Sequence, residues 1–228
     1  MRIPDLQGLK FPDEYISRFF FKEKLNQTPG SVLELGCGNA NNLLLFYEYG
    51  WNVTGVDIDT NALKQATDNF SLSSHLYHHQ NTSCFDINDM LEFVEKTEKS
   101  YDIVLMPGSF YYSDIFYINK LFQLIQKKNI IKENGLLFLR FRTPKDYRYG
   151  KGERLGNQTF RFDFNETGEL NCINTFFKEH EMIELLNKYF KLDRMQLFRI
   201  EFDNIQQDTM IHNSDVIVWA NINSNKPY

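Results

Sequence analysis

Several residues in this chain have the type and spacing for chemistry. In "SVLELGCGNANN", Ser31 to Asn42, an apolar run carrying Glu34 meets Gly36, Cys37 and Gly38, then small polar residues. Glycines placed directly after a strand let the backbone turn tightly and approach a ligand closely. Asp57 closes the next apolar run, "NVTGVD", about twenty residues past the glycines, where a carboxylate accepts from both hydroxyls of a ribose. Asp86, in "TSCFDIND", is placed to accept from an adenine amino group. A base is available in His180, at the start of a helix, the most plausible proton acceptor by chemistry. Cys37 has no histidine partner in view and reads as a small filler rather than a nucleophile. His75 and His79 are four apart, but "SSHLYHHQ" with His78 leads straight into a strand and reads as a solvated loop, so no metal is expected.

A second group would face whatever receives the chemistry. Tyr15 and Arg18 in "FPDEYISRFFFK" share a helical face, with Arg18 able to hold a carboxylate. Phe110, Tyr111 and Tyr112 in "MPGSFYYSD" are candidate pocket walls. "RFRTPKDYRYGKGERLGN", residues 140–157, is a basic island in an acidic protein. Its Arg140, Arg142, Arg148, Lys151 and Arg154 could meet an anionic acceptor, while Asp146 and Tyr147 orient a hydroxyl.

Elements must carry these residues. Strands read at 31–35, 52–57, 82–85, 101–106 and 134–142, alternating with helices at 41–49, about 60–70, 89–96 and 117–128. Such alternation implies a parallel sheet covered by helices on both faces. Residues 159–177 alternate at period two around Asn165–Gly168, as a β-hairpin does. A helix at 180–190 follows, then strands at 195–205 and 214–222, whose link is too short for a crossover helix and therefore joins them antiparallel. The expected fold is α/β, a Rossmann-like doubly wound sheet of seven strands, mostly parallel, with an antiparallel C-terminal pair. One domain spans 1–228, with an N-terminal helical segment at 1–29 and a loop-and-hairpin insertion at 143–178 beside the acceptor.

Composition narrows the classes. The chain has 228 residues and a net charge of -5, with no Lys/Arg-rich block, so a nucleic-acid backbone is not the expected partner. Aromatic content is 15%, more than an ordinary core needs, and the surplus could line a pocket. Three cysteines without metal spacing, no signal-type N-terminus and no long apolar run read as a cytoplasmic protein with no membrane span. A monomer or homodimer is expected.

Two cofactors compete for the glycine turn. A dinucleotide wants a third glycine where Asn41 stands. S-adenosylmethionine is the other, and here the chain resembles the class I S-adenosylmethionine-dependent methyltransferases: "ELGCGNA" matches their acidic-x-G-x-G-x-G motif, with Ala40 in the last place. The resemblance implies that Gly36 and Gly38 border the cofactor's amino-acid part, that Asp57 binds ribose, and that Phe85 and Asp86 flank adenine. The full cofactor set is then Arg18, Glu34, Gly36, Cys37, Gly38, Asp57, Ile58, Phe85, Asp86 and Met106. The acceptor would meet Tyr15, Tyr112, Arg140, Arg142, Tyr147 and Lys151, with His180 and Tyr111 as catalytic candidates. The Asn-Pro-Pro-Tyr signature of nucleobase and glutamine amino methylation is absent, and "PGSFYY" stands in its place. The 140–153 stretch and "HNSDVIVWA" are similar to a methyltransferase subgroup of bacterial surface-glycan (capsule or O-antigen) biosynthesis. That resemblance ranks a hydroxyl of a sugar, sugar nucleotide or phosphorylated glycan first as acceptor. N-methylation of a small amine, a nucleotide-dependent oxidoreductase and a non-catalytic scaffold are the alternatives.

Overall fold

In a computed structural model of the chain, residues 11–77 and 80–222 are described. The elements run α1 (Glu14–Lys22), β1 (Ser31–Leu35), α2 (Asn41–Glu48), β2 (Asn52–Asp57), α3 (Thr60–Tyr77), β3 (Ser83–Ile87), α4 (Met90–Lys96), β4 (Tyr101–Met106), α5 (Ile115–Lys127) and β5 (Ile131–Arg142). Then come β6 (Glu153–Arg154), β7 (Thr159–Arg161), β8 (Ile173–Thr175), α6 (Glu179–Tyr189), β9 (Leu192–Gln206) and β10 (Thr209–Ile222). Seven strands form one sheet in the order β3-β2-β1-β4-β5-β10-β9. The first five are parallel, β10 is antiparallel to β5, and β9 is antiparallel to β10. The expected α/β sheet is therefore present.

Helices cover both faces because each strand alternates which apolar side chain it sends where. Leu33 and Leu35 of β1 pack with α4, α5 and α6 through Val94, Phe122 and Leu186. Val32 packs on the other face with α1, α2 and α3 through Phe19, Phe46 and Leu63. Part of the aromatic surplus goes here: Phe19, Phe138, Phe198 and Trp219 form a cluster with contacting ring centroids 4.6–6.0 Å apart. Asp13, Asp89 and Asp114 cap α1, α4 and α5 by accepting from first-turn N–H groups.

Three local readings change. The helix expected to end near Phe70 runs on to Tyr77 and includes His75, where a loop was expected; His78 and His79 lie outside the described residues. The C-terminal pair has no eight-residue link. Gln207 and Asp208, with φ of 47° and 60°, form a two-residue turn, and the ladder starts at Gln206–Thr209. The expected hairpin at 159–177 does turn at Asn165–Gly168, but its paired parts are short, and β6 adds a third strand in the order β6-β7-β8. Phe160, Phe162 and Phe176 form a small core of their own under this sheet.

Candidate active site

The glycine turn is built by backbone geometry. The Gly36 and Cys37 N–H groups both donate to the Val56 carbonyl, at 2.8 and 3.0 Å, which bends the chain at the end of β1. Gly36 has φ +76°, and a Cβ there would lie 2.1 Å from the Ser109 Cβ, so no other residue fits. Gly38 has φ +52° but faces open space. Asp57 locks the turn: one oxygen accepts from the Gly38 N–H at 2.7 Å and the other from Asp59 N–H at 2.9 Å. A carboxylate has about four acceptor positions, so Asp57 keeps others for a ligand.

Two hollows meet at Gly36 and Gly108. One, of about 350 Å³, is bordered by Pro12, Glu34, Cys37, Gly38 and Asn42. The other, of about 530 Å³, is bordered by Asp57, Ile58, Asp89, Tyr112, Cys172 and Ile173. The pair makes an elongated cleft over the carboxyl ends of β1, β2 and β4, where ligands bind in open α/β sheets. Glu34 lies beneath the first hollow, 1% exposed. One carboxyl oxygen accepts from Asn42 Nδ2 at 2.7 Å, and the other is buried with no partner. Burial pushes this carboxyl up to about 8; the Asn42 bond opposes that, and the nearby Asp57 and Asp13 add to it. A cation seated in the hollow would complete it.

On the far side, Tyr112 closes the larger hollow. Its hydroxyl donates to Glu169 at 2.6 Å and accepts from Arg142 at 3.2 Å. Arg142 also donates to Glu169 at 2.6 Å and to Asn174 at 2.9 Å. Arg148 binds the second Glu169 oxygen at 2.5 Å and Asp146 at 2.9 Å. Burial alone would raise the Glu169 carboxyl, but Arg142, the Tyr112 hydroxyl and Arg148 hold it at about 2. Burial raises the Tyr112 phenol, and Tyr111 and Glu169 add to that while Arg142 opposes it.

These contacts correct the basic island. Its cations were expected to face an anionic acceptor, yet Arg142 and Arg148 are buried in ion pairs. Arg140 is bound by Asp215 at 2.5 Å and Asp13 at 3.1 Å. Lys151 lies over the Tyr147 ring, 2.8 Å from its centroid, and Tyr147 packs edge-on against Phe164. Arg154 donates to the Gly156 and Asn157 carbonyls.

Other expected residues lie elsewhere. Arg18 is exposed and pairs with Glu14 at 3.1 Å, with its guanidinium over Tyr15, so it does not reach the glycine turn. Tyr15 packs against Phe198. Met106 and Tyr111 are buried in the core between the sheet and α5. Phe85 turns toward Phe70 of α3, with ring centroids 4.9 Å apart. Asp86 borders a separate hollow with Cys84, Lys96 and Tyr101, while Asn88, Asp89 and Met90 border the cleft in its place. His180 is exposed on α6 and lines none of these hollows, so it is no base for chemistry in the cleft. Burial pushes the Cys37 thiol far up, which fits the filler reading. The cleft thus brings together Glu34, Gly36, Cys37, Gly38, Asp57, Ile58 and Tyr112 from the expected set.

Sequence reasoning missed Asn42, Asp89, Tyr117, Glu169, Cys172 and Ile173. Asp89 had a visible signal, a helix cap before "MLEF", and it also accepts from the Tyr117 hydroxyl at 2.8 Å. Glu169 had none, because its partner Arg142 is 27 positions away.

A family model described as a methyltransferase domain matches residues 6–189. No curated protein sequence matches. Among solved structures, an S-adenosylmethionine-dependent methyltransferase from Methanosarcina mazei is similar at 19% identity and TM-score 0.65, covering 89% of this chain and 97% of its own. A 1,6-didemethyltoxoflavin-N1-methyltransferase from Burkholderia thailandensis, with S-adenosylhomocysteine bound, is similar at 15% identity and TM-score 0.61, covering 92% and 78%. The N-methyltransferase NodS from Bradyrhizobium japonicum shares 13% identity at TM-score 0.58, covering 93% and 99%. Identities this low speak for the fold; the family match over most of the chain speaks for membership. The chain belongs to the methyltransferase domain family and is a class I methyltransferase that depends on S-adenosylmethionine.

Proposed function

We propose that the chain methylates a nitrogen of a small, flat, uncharged acceptor held against Tyr112, Cys172 and Ile173. The residues present fit the cofactor: the unpartnered Glu34 oxygen suits its ammonium, the open space at Gly38 its amino-acid chain, and the spare Asp57 acceptors its ribose. Asp89 and Ile58 would border adenine. When bound, S-adenosylmethionine supplies an electrophilic methyl group on a sulfonium sulfur.

The protein's part is then to place a nucleophile and exclude water. A hydroxyl acceptor usually needs a base, whereas a neutral nitrogen carries its lone pair already. The observation that carries the nitrogen reading is the state of Tyr112. Its hydroxyl proton is committed to Glu169, and Glu169, held at about 2, is too weak a base to relay a proton at neutral pH. Tyr112 therefore acts as a ring wall, tilted against Tyr111 with centroids 4.8 Å apart, and not as an acid or base. The ion pairs of Arg140, Arg142 and Arg148 remove the reason to favour an anionic glycan. The similarity to two N-methyltransferases agrees with this choice.

The test is a methyl-transfer assay that reads S-adenosylhomocysteine release over three panels: N-heterocycles and aryl amines, sugar nucleotides, and phenols. Turnover in the first panel, with a pH profile that follows the acceptor's own pKa, is the expected result. Turnover confined to hydroxyl acceptors overturns the nitrogen assignment.

A further inference from the structure

We propose that β9 is a self-pairing edge through which two copies of this chain join, antiparallel about a two-fold axis at Ile200, into one continuous sheet. β9 is 15 residues long, lies at the end of the sheet, and among the described residues pairs with β10 alone. None of its residues is buried. An exposed edge of this length invites another strand unless proline, bulges or inward charges blunt it. β9 contains no proline, and the one register shift of the hairpin lies toward its other end, beyond Gln196–Trp219.

The backbone decides which atoms are on offer. The hairpin closes at Gln206–Thr209 across a two-residue turn, so even-numbered β9 residues direct their N–H and C=O groups to β10. The odd-numbered ones, Met195 to Ile205, point theirs outward. Antiparallel pairing between two copies must therefore match odd with odd.

Side chains then select one register. With Ile200 on the axis, Arg199 faces Glu201 of the other copy, and Glu201 faces Arg199. One step in one direction sets Arg199 opposite itself; one step in the other sets Glu201 opposite itself. Opposite charges directly across a strand pair stabilise, and like charges destabilise. The same register places Met195, 40% exposed, against Ile205, 72% exposed, and Phe198 against the half-exposed Phe202. Leu197 meets Asp203, which already accepts from His212 at 2.7 Å. Arg199 now binds Glu179 and Glu201 binds Lys145, both on the surface, so turning to a partner desolvates little. The ladder would supply about twelve backbone hydrogen bonds.

The experiment is sedimentation equilibrium of the whole chain, wild type and variants, with circular dichroism as the folding control. The wild type is expected at about twice the 27.1 kDa chain mass. Glu201→Arg sets two like-charge pairs across the axis and should weaken association at least about tenfold. Adding Arg199→Glu to it should restore the dimer, because the pairs are opposite again. A monomeric wild type at 100 μM-scale concentration (roughly a hundredfold above a micromolar Kd) overturns the proposal. So does a dimer indifferent to Glu201→Arg, or a folded double variant that stays monomeric.

Discussion

Glu34→Gln separates the stability of the empty cleft from its function. The substitution keeps the shape: the amide oxygen still accepts from Asn42, and the amide nitrogen takes the place of an oxygen that has no partner. It removes a carboxyl whose pKa is raised from 4.5 to about 8. The sign follows from linkage. A raised carboxyl pKa means the folded protein binds the proton that the unfolded chain has released. The group's favourable contribution is complete below pH 4.5, declines as pH rises to about 8, and is flat above. At about 1.4 kcal/mol per pH unit, the decline is about 5 kcal/mol over that window. Urea unfolding of ligand-free protein from pH 5 to 8.5 should show the Glu34→Gln variant gaining on the wild type by an amount of that order. S-adenosylhomocysteine should reverse the ranking, since its ammonium stabilises the ionised Glu34. Binding near pH 7 should then release close to one proton in the wild type and none in the variant, read by calorimetry in two buffers of different ionisation enthalpy. Parallel stability curves for the two proteins would refute the burial argument. Equal proton release in both would refute the ammonium assignment.

Four further substitutions probe the rest of the cleft. Asp57→Ala should weaken S-adenosylhomocysteine binding by about 1.5–3 kcal/mol per charged hydrogen bond lost, measured by calorimetric titration; unchanged affinity would remove Asp57 from the ribose site. Gly36→Ala should unfold the turn outright, with its Cβ driven into Ser109, whereas Gly38→Ala should cost the empty protein only about 1–2 kcal/mol of left-handed backbone strain and show its effect in cofactor affinity. Glu169→Gln should destabilise by about 3–5 kcal/mol at pH 7, because buried Arg142 loses its carboxylate partner and Arg148 is left with Asp146 alone. In the wild type that contribution is present above pH 4.5 and fades as pH falls toward about 2, where the variant's acid-unfolding curve should meet it.

The sheet was legible because its signals are local. Apolar runs ending in Leu35, Asp57 and Met106, each followed by a turn and a helical period, specify a doubly wound order without knowledge of contacts. Backbone-built parts of the cleft were legible for the same reason, since Gly36 and Asp57 act through the strand ends they occupy. What failed was the reading of charge. A run of arginines looks like a surface until its acids are found, and Glu169, Asp215 and Asp13 lie far from Arg142 and Arg140 in sequence. Ala40 shows a subtler gap. Its size suits the place, yet it has φ +60°, so the glycine usual there serves backbone conformation as well as space. The Gln207–Asp208 turn was missed because neither residue is the glycine that such turns favour.

The Arg142–Glu169–Arg148 linkage has a consequence for how acceptor choice can change. It ties residue 169 to β5, so the three-stranded flap cannot swing away from the cleft without stripping Arg142 of its carboxylate and leaving Arg148 to Asp146 alone. On the proposed reading, discrimination then rests on a fixed outline rather than on closure around the acceptor. Cys172 and Ile173 form part of that outline but contribute no side chain to the ion pairs. Descendants of this sequence could thus reshape the proposed acceptor end one side chain at a time, at those two positions, while the buried charges keep the scaffold in register.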